Sequence, residues 1–187
     1  MTHQLSPKFL RSANLNLNHE VWMSFALSLA KGASSSKLVT DVPIGAVIIY
    51  LHTSEDRYTG RSSLLATGSN QKELLQKPTA HAEIIAIERA SAILGSWRLS
   101  HCVLYTSIEP CLMCVGAIIQ SRIPLVVYGA QNKKFGALGS LNNTPKSNHK
   151  FTYIQGVKEQ ESQELMQNFF ATKKSLNAKD NQEYQGK

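Results

Sequence analysis

Apolar residues along the chain alternate between helical and strand-like spacing. In residues 18–32 they recur three and four positions apart, with Asn18 as the N-cap and Gly32 as the stop, which predicts an amphipathic helix. Residues 42–51 form a nearly continuous aliphatic run, typical of a strand buried on both faces, and residues 64–67 predict a shorter strand. The polar segment between them predicts a long, solvated hairpin loop.

Helices and strands continue to alternate through the middle of the chain. Helical spacing recurs in residues 81–94 and 110–119, the latter with Pro110 at its first position, and strand patterns occupy residues 102–107 and 125–128. After Gln131 the chain turns polar, with a short segment at 151–154 and a last helical pattern at 161–174. The alternation predicts an α/β fold, a three-layer α/β/α sandwich with a central mixed sheet.

The length of 187 residues suits one domain. We expect an N-terminal extension at residues 1–17, the domain at 18–174 and a disordered tail at 175–187. The apolar runs at 22–30 and 43–51 are much shorter than the roughly 20 residues that cross a bilayer, so we predict no membrane span.

Charge and cysteine content narrow the possible partners and the compartment. Twenty Lys and Arg against thirteen Asp and Glu give a formal charge of +7, which suits a polyanion such as nucleic acid or an anionic membrane surface. Three cysteines are few and odd in number, which disfavours a secreted fold held together by disulfide bonds. We therefore predict reduced thiols and a cytoplasmic location.

Two short motifs carry the strongest chemical signal, and each is predicted to open a helix. They are His81-Ala82-Glu83 and a Cys-x-x-Cys pair formed by Cys111 and Cys114. Cysteines three apart at a helix opening lie on one face, and two thiolates with one imidazole would hold Zn²⁺ while leaving a fourth position for water. Glu83 is then placed as an acid or base beside that water, which predicts hydrolytic deamination.

Each motif alone has a simpler interpretation. A lone Cys-x-x-Cys is also typical of a structural zinc half-site or a redox pair, and a lone His-x-Glu carries little information. A structural site would need a fourth protein ligand, for which His101 and Cys102 are the nearest candidates. We interpret Cys102 as a buried core thiol, and a redox role would leave His81 and Glu83 without a task.

Together, the two motifs match the H-x-E and P-C-x-x-C signature of zinc nucleobase deaminases. Other segments of the chain agree with this match. The segments V-P-I-G-A-V, P-T-A-H-A-E-I, S-I-E-P-C-L-M-C-V-G-A-I-I-Q-S-R-I and V-Y-G-A, followed by G-A-L-G-S-L, resemble the bacterial tRNA-specific adenosine deaminases. The resemblance covers residues 18–174. It implies a cytidine-deaminase-like fold, a homodimer, and conversion of adenosine to inosine at the wobble position of a tRNA anticodon.

The resemblance also implies the roles of individual residues. One zinc ion per subunit would be held by His81, Cys111 and Cys114. Glu83 would take a proton from the metal-bound water, pass it to N1 of adenine and then assist loss of ammonia.

Three further residues would contact the substrate under the same resemblance. The Ala82 amide would help to hold the ring, and Asn70 would hydrogen-bond the flipped base or its sugar. Asn132 stands where the family commonly has Asp, near the expected substrate backbone. A target in a single-stranded anticodon loop is the easiest to unstack.

Basic residues late in the chain are candidates for contacts with the anticodon stem-loop. They are Lys133, Lys134, Lys173 and Lys174. The alternative for any single lysine is an ordinary solvated surface, whereas the group as a whole favours phosphate.

Two other functions stay open at this point. One is a free-base or nucleoside deaminase of the same superfamily, acting on guanine or cytosine, which basicity and the G-A-L-G-S-L segment disfavour. The other is a non-catalytic, zinc-stabilised RNA-binding module, which would have little need of Glu83 or of an open ligand position.

Overall fold

The computed structural model describes residues 17–33, 41–55, 57–140, 147 and 149–185. Its helices and strands follow in chain order: α1 His19–Ala33, β1 Gly45–Ser54, β2 Arg57–Ser69, α2 Lys72–Leu75, α3 Ala82–Leu94, β3 Cys102–Ile108, α4 Leu112–Gln120, β4 Leu125–Ala130, β5 Thr152–Ile154 and α5 Glu159–Gln185. The predicted N-terminal extension lies outside the described residues except for its last one, Leu17.

The strands form one five-stranded sheet with the order β2-β1-β3-β4-β5. β1 is antiparallel to both β2 and β3, whereas β3, β4 and β5 run parallel. The mixed sheet is needed because a tight hairpin joins β1 to β2, while α4 crosses over between the parallel strands β3 and β4.

Both faces of the sheet are covered, which confirms the predicted three-layer α/β/α sandwich. On one face α3 and α4 bury a cluster that includes Ala86, Val115 and Ile118 against Ile48 and Leu104. The core of the other face contains residues of α1 and the partly buried Leu165 of α5. Cys102 is fully buried in the first cluster, as predicted for a core thiol.

Two glycines let helices approach the hairpin closely. A Cβ at Gly45 would collide with the α1 backbone at Ala26, and a Cβ at Gly68 would collide with the α3 backbone at Ala82. Because only glycine permits this approach, the first turn of α3 is fixed against the end of β2.

The structure corrects the predicted hairpin loop. β1 and β2 continue to Ser54 and Arg57, so most of the polar segment is strand. The expectation was wrong because it equated polarity with a loop, whereas here β1 and β2 pair through their backbones although most side chains are exposed, with Tyr58 packed against the core. Two register shifts along the β1–β2 pair accommodate its twist.

Helix boundaries also differ from the prediction. Pro110 does not open α4: Cys111 is the N-cap in extended backbone, because a β-bridge pairs it with Gly136. His81 is likewise the N-cap of α3. The last helix runs to Gln185, past its predicted end at residue 174 and through residues for which composition predicted disorder. None of the described helices combines the length and hydropathy needed to cross a membrane.

Candidate active site

The helices α3 and α4 begin close together, and the residue before each of them has a side chain that can bind a metal ion. His81 caps α3 and Cys111 caps α4, both in extended backbone, while Cys114 lies on the first turn of α4. The N-terminal ends of both helices therefore point toward the two sulfurs, and their dipoles favour the anionic thiolates.

The three side chains form a compact group that could hold a metal ion. Cys111 Sγ lies 3.6 Å from His81 Nδ1, Cys114 Sγ lies 3.5 Å from the same nitrogen, and the two sulfurs are 3.7 Å apart. Their ligand atoms all lie within 4.8 Å of one another, and within the described part of the chain no fourth His, Cys, Asp or Glu joins them. His101 and Cys102, the candidates for a fourth ligand, are not in the group.

The crowding of the group changes how its members hold protons. The hydrogen bond with Cys114 is the main influence that lowers the pKa of Cys111, to about 4, and the same contact raises the pKa of Cys114. The hydrogen bond with Cys111 raises the pKa of His81. The close approach of the three ligand atoms therefore makes them hold protons that a bound cation would displace.

Glu83 lies beside this group without belonging to it. Its side chain is 2% exposed, on the first turn of α3, and burial raises the pKa of its carboxyl. A side-chain hydrogen bond with Cys114 ties it to the ligand group. A buried carboxyl next to a metal-type site has few structural reasons to exist, and it is available for proton transfer.

Asn70 lies on one wall of the site, because the amide of the next residue, Gln71, donates to the Ala80 carbonyl at 3.0 Å, directly before His81. A residue that was not predicted from the sequence holds Asn70 there. Asp41 Oδ1 accepts hydrogen bonds from Asn70 Nδ2, at 3.1 Å, and from the amide of Glu73, at 2.9 Å. Its Oδ2 accepts from the amide of Leu74 at 3.0 Å. Asp41 and Asn70 are both buried, so Asp41 anchors the segment between β2 and α2.

A second wall is the segment of residues 132–140, here called the Glu109 loop, in which Gly136 pairs with Cys111. Glu109 is fully buried, and its Oε1 accepts from the amides of Leu138, Gly139 and Ser140 at 2.7–3.0 Å. Its Oε2 accepts from the Asn132 amide at 3.0 Å and from the Ser140 hydroxyl. Glu109 was not predicted from the sequence, although a charged residue at the end of an apolar strand is a usable signal.

The hydrogen bonds to Glu109 also decide its ionisation. Burial by itself raises the pKa of the carboxyl, but the hydroxyl and amide donors from Ser140, Gly139 and Asn132 outweigh burial and leave the pKa below its ordinary value. Glu109 is therefore a charged anchor at neutral pH.

The other predicted site residues are divided between the two faces of the sheet. Asn132 uses its side-chain Oδ1 to accept from the Phe135 amide at 3.1 Å, which closes a turn. Lys133 and Lys134 are exposed on the same loop. Lys173 and Lys174 are exposed on α5, which packs on the other side of the sheet from His81 and Cys111, so the structure does not bring them to this site.

Known proteins show the same fold and much of the same sequence. Residues 17–174 match the model of the MafB19-like deaminase family. The tRNA-specific adenosine deaminase of Bacillus subtilis is 36% identical over 154 residues, which cover 81% of this chain and 88% of the relative. The one from Buchnera aphidicola is 35% identical over 161 residues, which cover 84% of this chain and 91% of the relative.

Solved structures agree. A tRNA:A34 deaminase studied for A-to-I editing at the wobble position of transfer RNA superposes with a TM-score of 0.66 at 36% identity, covering 78% of this chain and 98% of its own. A guanine deaminase from Nitrosomonas europaea superposes with a TM-score of 0.65 at 26% identity, covering 91% and 97%. The predicted cytidine-deaminase-like fold is confirmed. The chain therefore belongs to the MafB19-like deaminase family and, among deaminases, to the family of the tRNA-specific adenosine deaminases.

Proposed function

We propose that the chain catalyses the hydrolytic deamination of adenosine to inosine at the wobble position of a tRNA anticodon. The observation that carries the proposal is the buried Glu83 beside the His81, Cys111 and Cys114 group. That group lies in a chain 35–36% identical, over most of its length, to relatives named as tRNA-specific adenosine deaminases.

Zinc is the metal that the donor set fits best. A tetrahedral ion with bonds of about 2.3 Å to sulfur and about 2.0 Å to nitrogen separates its ligand atoms by about 3.5 to 3.8 Å. The separations in the group are 3.5, 3.6 and 3.7 Å. When bound, one zinc per subunit would supply an activated water by lowering the pKa of that water toward neutrality.

Glu83 acts as the proton shuttle in this proposal. It accepts a proton from the attacking water, delivers it to N1 of adenine as C6 is attacked, and then assists the departure of the exocyclic amine. The reaction consumes one water and converts adenosine into inosine and ammonia. The burial of Glu83 on the first turn of α3 supports the role, because a group fixed by packing is preorganised for transfer.

The two walls would orient the base. The Ala82 amide, at the opening of α3, and Asn70, held by Asp41, are the proposed polar contacts on one side. Asn132 would contribute mainly through the shape of the Glu109 loop, since its side chain already closes a turn. Lys133 and Lys134 lie on that loop and would meet phosphate of the anticodon stem-loop, whereas a contact from Lys173 or Lys174 would need RNA that reaches α5.

The homodimer and the cytoplasmic location stay predictions. Dimerisation rests on the family resemblance, and the location on the free thiols of Cys102, Cys111 and Cys114. The mass of the zinc-loaded protein in solution would check the first.

The decisive experiment compares Glu83→Gln with a matched control on the same helix. Inosine and ammonia are scored after incubation with an anticodon stem-loop RNA. Glu83→Gln should lower kcat by about a hundredfold to ten-thousandfold, in the range of general acid–base catalysis, while one zinc per chain is retained. Glu88→Gln changes an exposed carboxylate of α3 and should leave kcat unchanged.

The rival functions predict different outcomes. Turnover of guanine, cytosine or free nucleosides but not of the stem-loop would favour a small-molecule deaminase, the activity named for the guanine deaminase from Nitrosomonas europaea. Binding of zinc and RNA without turnover on any substrate would favour the non-catalytic module. The buried Glu83, and the three-residue ligand group to which no fourth described residue adds a donor, weigh against that module.

A further inference from the structure

The Glu109 loop carries an exposed aromatic residue that no part of the proposed mechanism uses. Phe135 is 59% exposed, and the Lys134 ammonium lies 5.2 Å from the centroid of its ring. A large apolar ring left in water contributes little to folding, so this ring is free to meet a ligand.

Phe135 lies close to the metal-type group. The next residue, Gly136, pairs with Cys111 in a β-bridge, and the amide of Ala137 donates to the Pro110 carbonyl at 3.0 Å. The ring therefore projects from a backbone that is tied directly to a proposed zinc ligand.

The loop holds Phe135 firmly. Its amide donates to the Asn132 side chain, and the Gly136 amide donates to the Asn132 carbonyl at 2.7 Å. The Asn132 amide in turn donates to the buried Glu109 carboxylate. A Cβ at Gly136 would collide with that carboxylate, so the loop is seated on Glu109 with no spare space. A ring mounted in this way loses little freedom when a flat partner stacks on it.

We propose that Phe135 is a stacking platform for an unpaired nucleobase next to the target adenine, with Lys134 contacting the adjoining phosphate. The proposal rests on the proposed function, because it takes the substrate to be single-stranded RNA. Its chemistry is the pairing of an aromatic face with a cation, which suits a base and its phosphate together. Every base offers a π-face, so the platform would add affinity with little sequence preference.

The chain offers a matched control far from the site. Trp97 is 55% exposed, and the Arg98 guanidinium lies 4.6 Å from its ring centroid, so the pair has the same chemistry as Phe135 and Lys134. It follows the C-terminal end of α3, whereas His81 precedes the N-terminal end, which is about 20 Å away for a helix of this length.

The test measures binding by fluorescence anisotropy. Zinc-loaded protein is titrated with an anticodon stem-loop RNA and with two versions that carry an abasic nucleotide immediately before or after the target adenine. Phe135→Ala should raise Kd for the intact RNA about tenfold, Phe135→Trp should restore it, and Trp97→Ala should leave it unchanged. One abasic RNA should bind the wild type about tenfold more weakly and be insensitive to Phe135→Ala.

Equal Kd values for wild type and Phe135→Ala on intact RNA, with both variants folded, would overturn the proposal. A wild-type dimer that dissociates on Phe135→Ala would also overturn it, since a second copy would then cover the ring. Inosine assays on the same RNAs separate the two ideas. Inosine without Phe135 dependence defeats the platform alone, and Phe135-dependent binding without inosine defeats the proposed function alone.

Discussion

Two buried carboxylates, Asp41 and Glu109, hold the two walls of the site, and they accept different numbers of hydrogen bonds. Asp41 accepts three hydrogen bonds from the Asn70 side of the site, whereas Glu109 accepts five from the Glu109 loop. On the Asp41 side the backbone also has other partners, since the amides of Asn70 and Gln71 donate to the carbonyls of Ile44 and Ala80. The described part of the Glu109 loop contains no helix or strand, so one carboxylate replaces the missing backbone partners.

The difference has a physical consequence for each wall. Where the backbone has other hydrogen-bond partners, a buried carboxylate accepts only from the few remaining donors and orients one side chain. Where a segment has no helix or strand, the buried carboxylate accepts most of its hydrogen bonds. Loss of the carboxylate then leaves several donors without acceptors at once. The Glu109 side should therefore be the more vulnerable of the two.

Glu109→Gln should have the largest effect. An amide has one oxygen, so whichever way it turns, its NH₂ group meets the donors of Asn132 and Ser140 or those of residues 138–140. We expect the free energy of unfolding to fall by about 3 kcal/mol, measured by urea denaturation. Glu88→Gln, at an exposed carboxylate, should change it by less than about 0.5 kcal/mol. A loss for Glu109→Gln as small as that of the control would remove the organising role of Glu109.

Asp41→Asn should cost less, about 1 to 2 kcal/mol in the same assay. The amide oxygen can keep the bonds from Asn70 and Glu73, both made to Oδ1, so only the bond from the Leu74 amide to Oδ2 is replaced by two facing donors. An equal loss of unfolding free energy for Asp41→Asn and Glu109→Gln would contradict the proposed difference between the two walls. Because Asn70 keeps its partner, KM for the stem-loop RNA should rise less than in Asp41→Ala, which removes that partner.

The same contrast explains which parts of the site could be predicted from sequence. His81, Glu83, Cys111 and Cys114 fall in two short motifs that can be read from the sequence, and the structure brings their side chains together. Asp41 and Glu109 act on residues 23 to 33 positions away in the chain. No local pattern encodes such partners, so these anchors became visible only in three dimensions.

The fold shows a similar division. Periodic burial predicted the order of β1, α3, β3, α4 and β4, because each of these elements has a face in the core. The strand extension of the hairpin was mispredicted, because most of its side chains are exposed and so leave no regular apolar pattern in the sequence. Pro110 was misplaced for another reason: a bridge from Gly136, 25 residues after Cys111, holds the chain extended there.

Ser140→Ala should have the smallest effect and tests the comparison most finely. It removes the one side-chain donor to Glu109 and leaves the four backbone donors in place, so we expect a loss of about 1 kcal/mol in unfolding free energy. Ser175→Ala removes an exposed helical hydroxyl that bonds the Ala171 carbonyl, and it should cost less than about 0.5 kcal/mol.

The double variant Ser140→Ala with Glu109→Gln supplies the sharper readout. If the carboxylate is the centre that the loop depends on, Ser140→Ala should cost clearly less once Glu109 is Gln, because the charged partner of the hydroxyl is already gone. Strict additivity of the two losses would mean that Ser140 stabilises the loop independently of Glu109. The five hydrogen bonds would then be separate contacts, and the contrast with Asp41 would reduce to a difference in number.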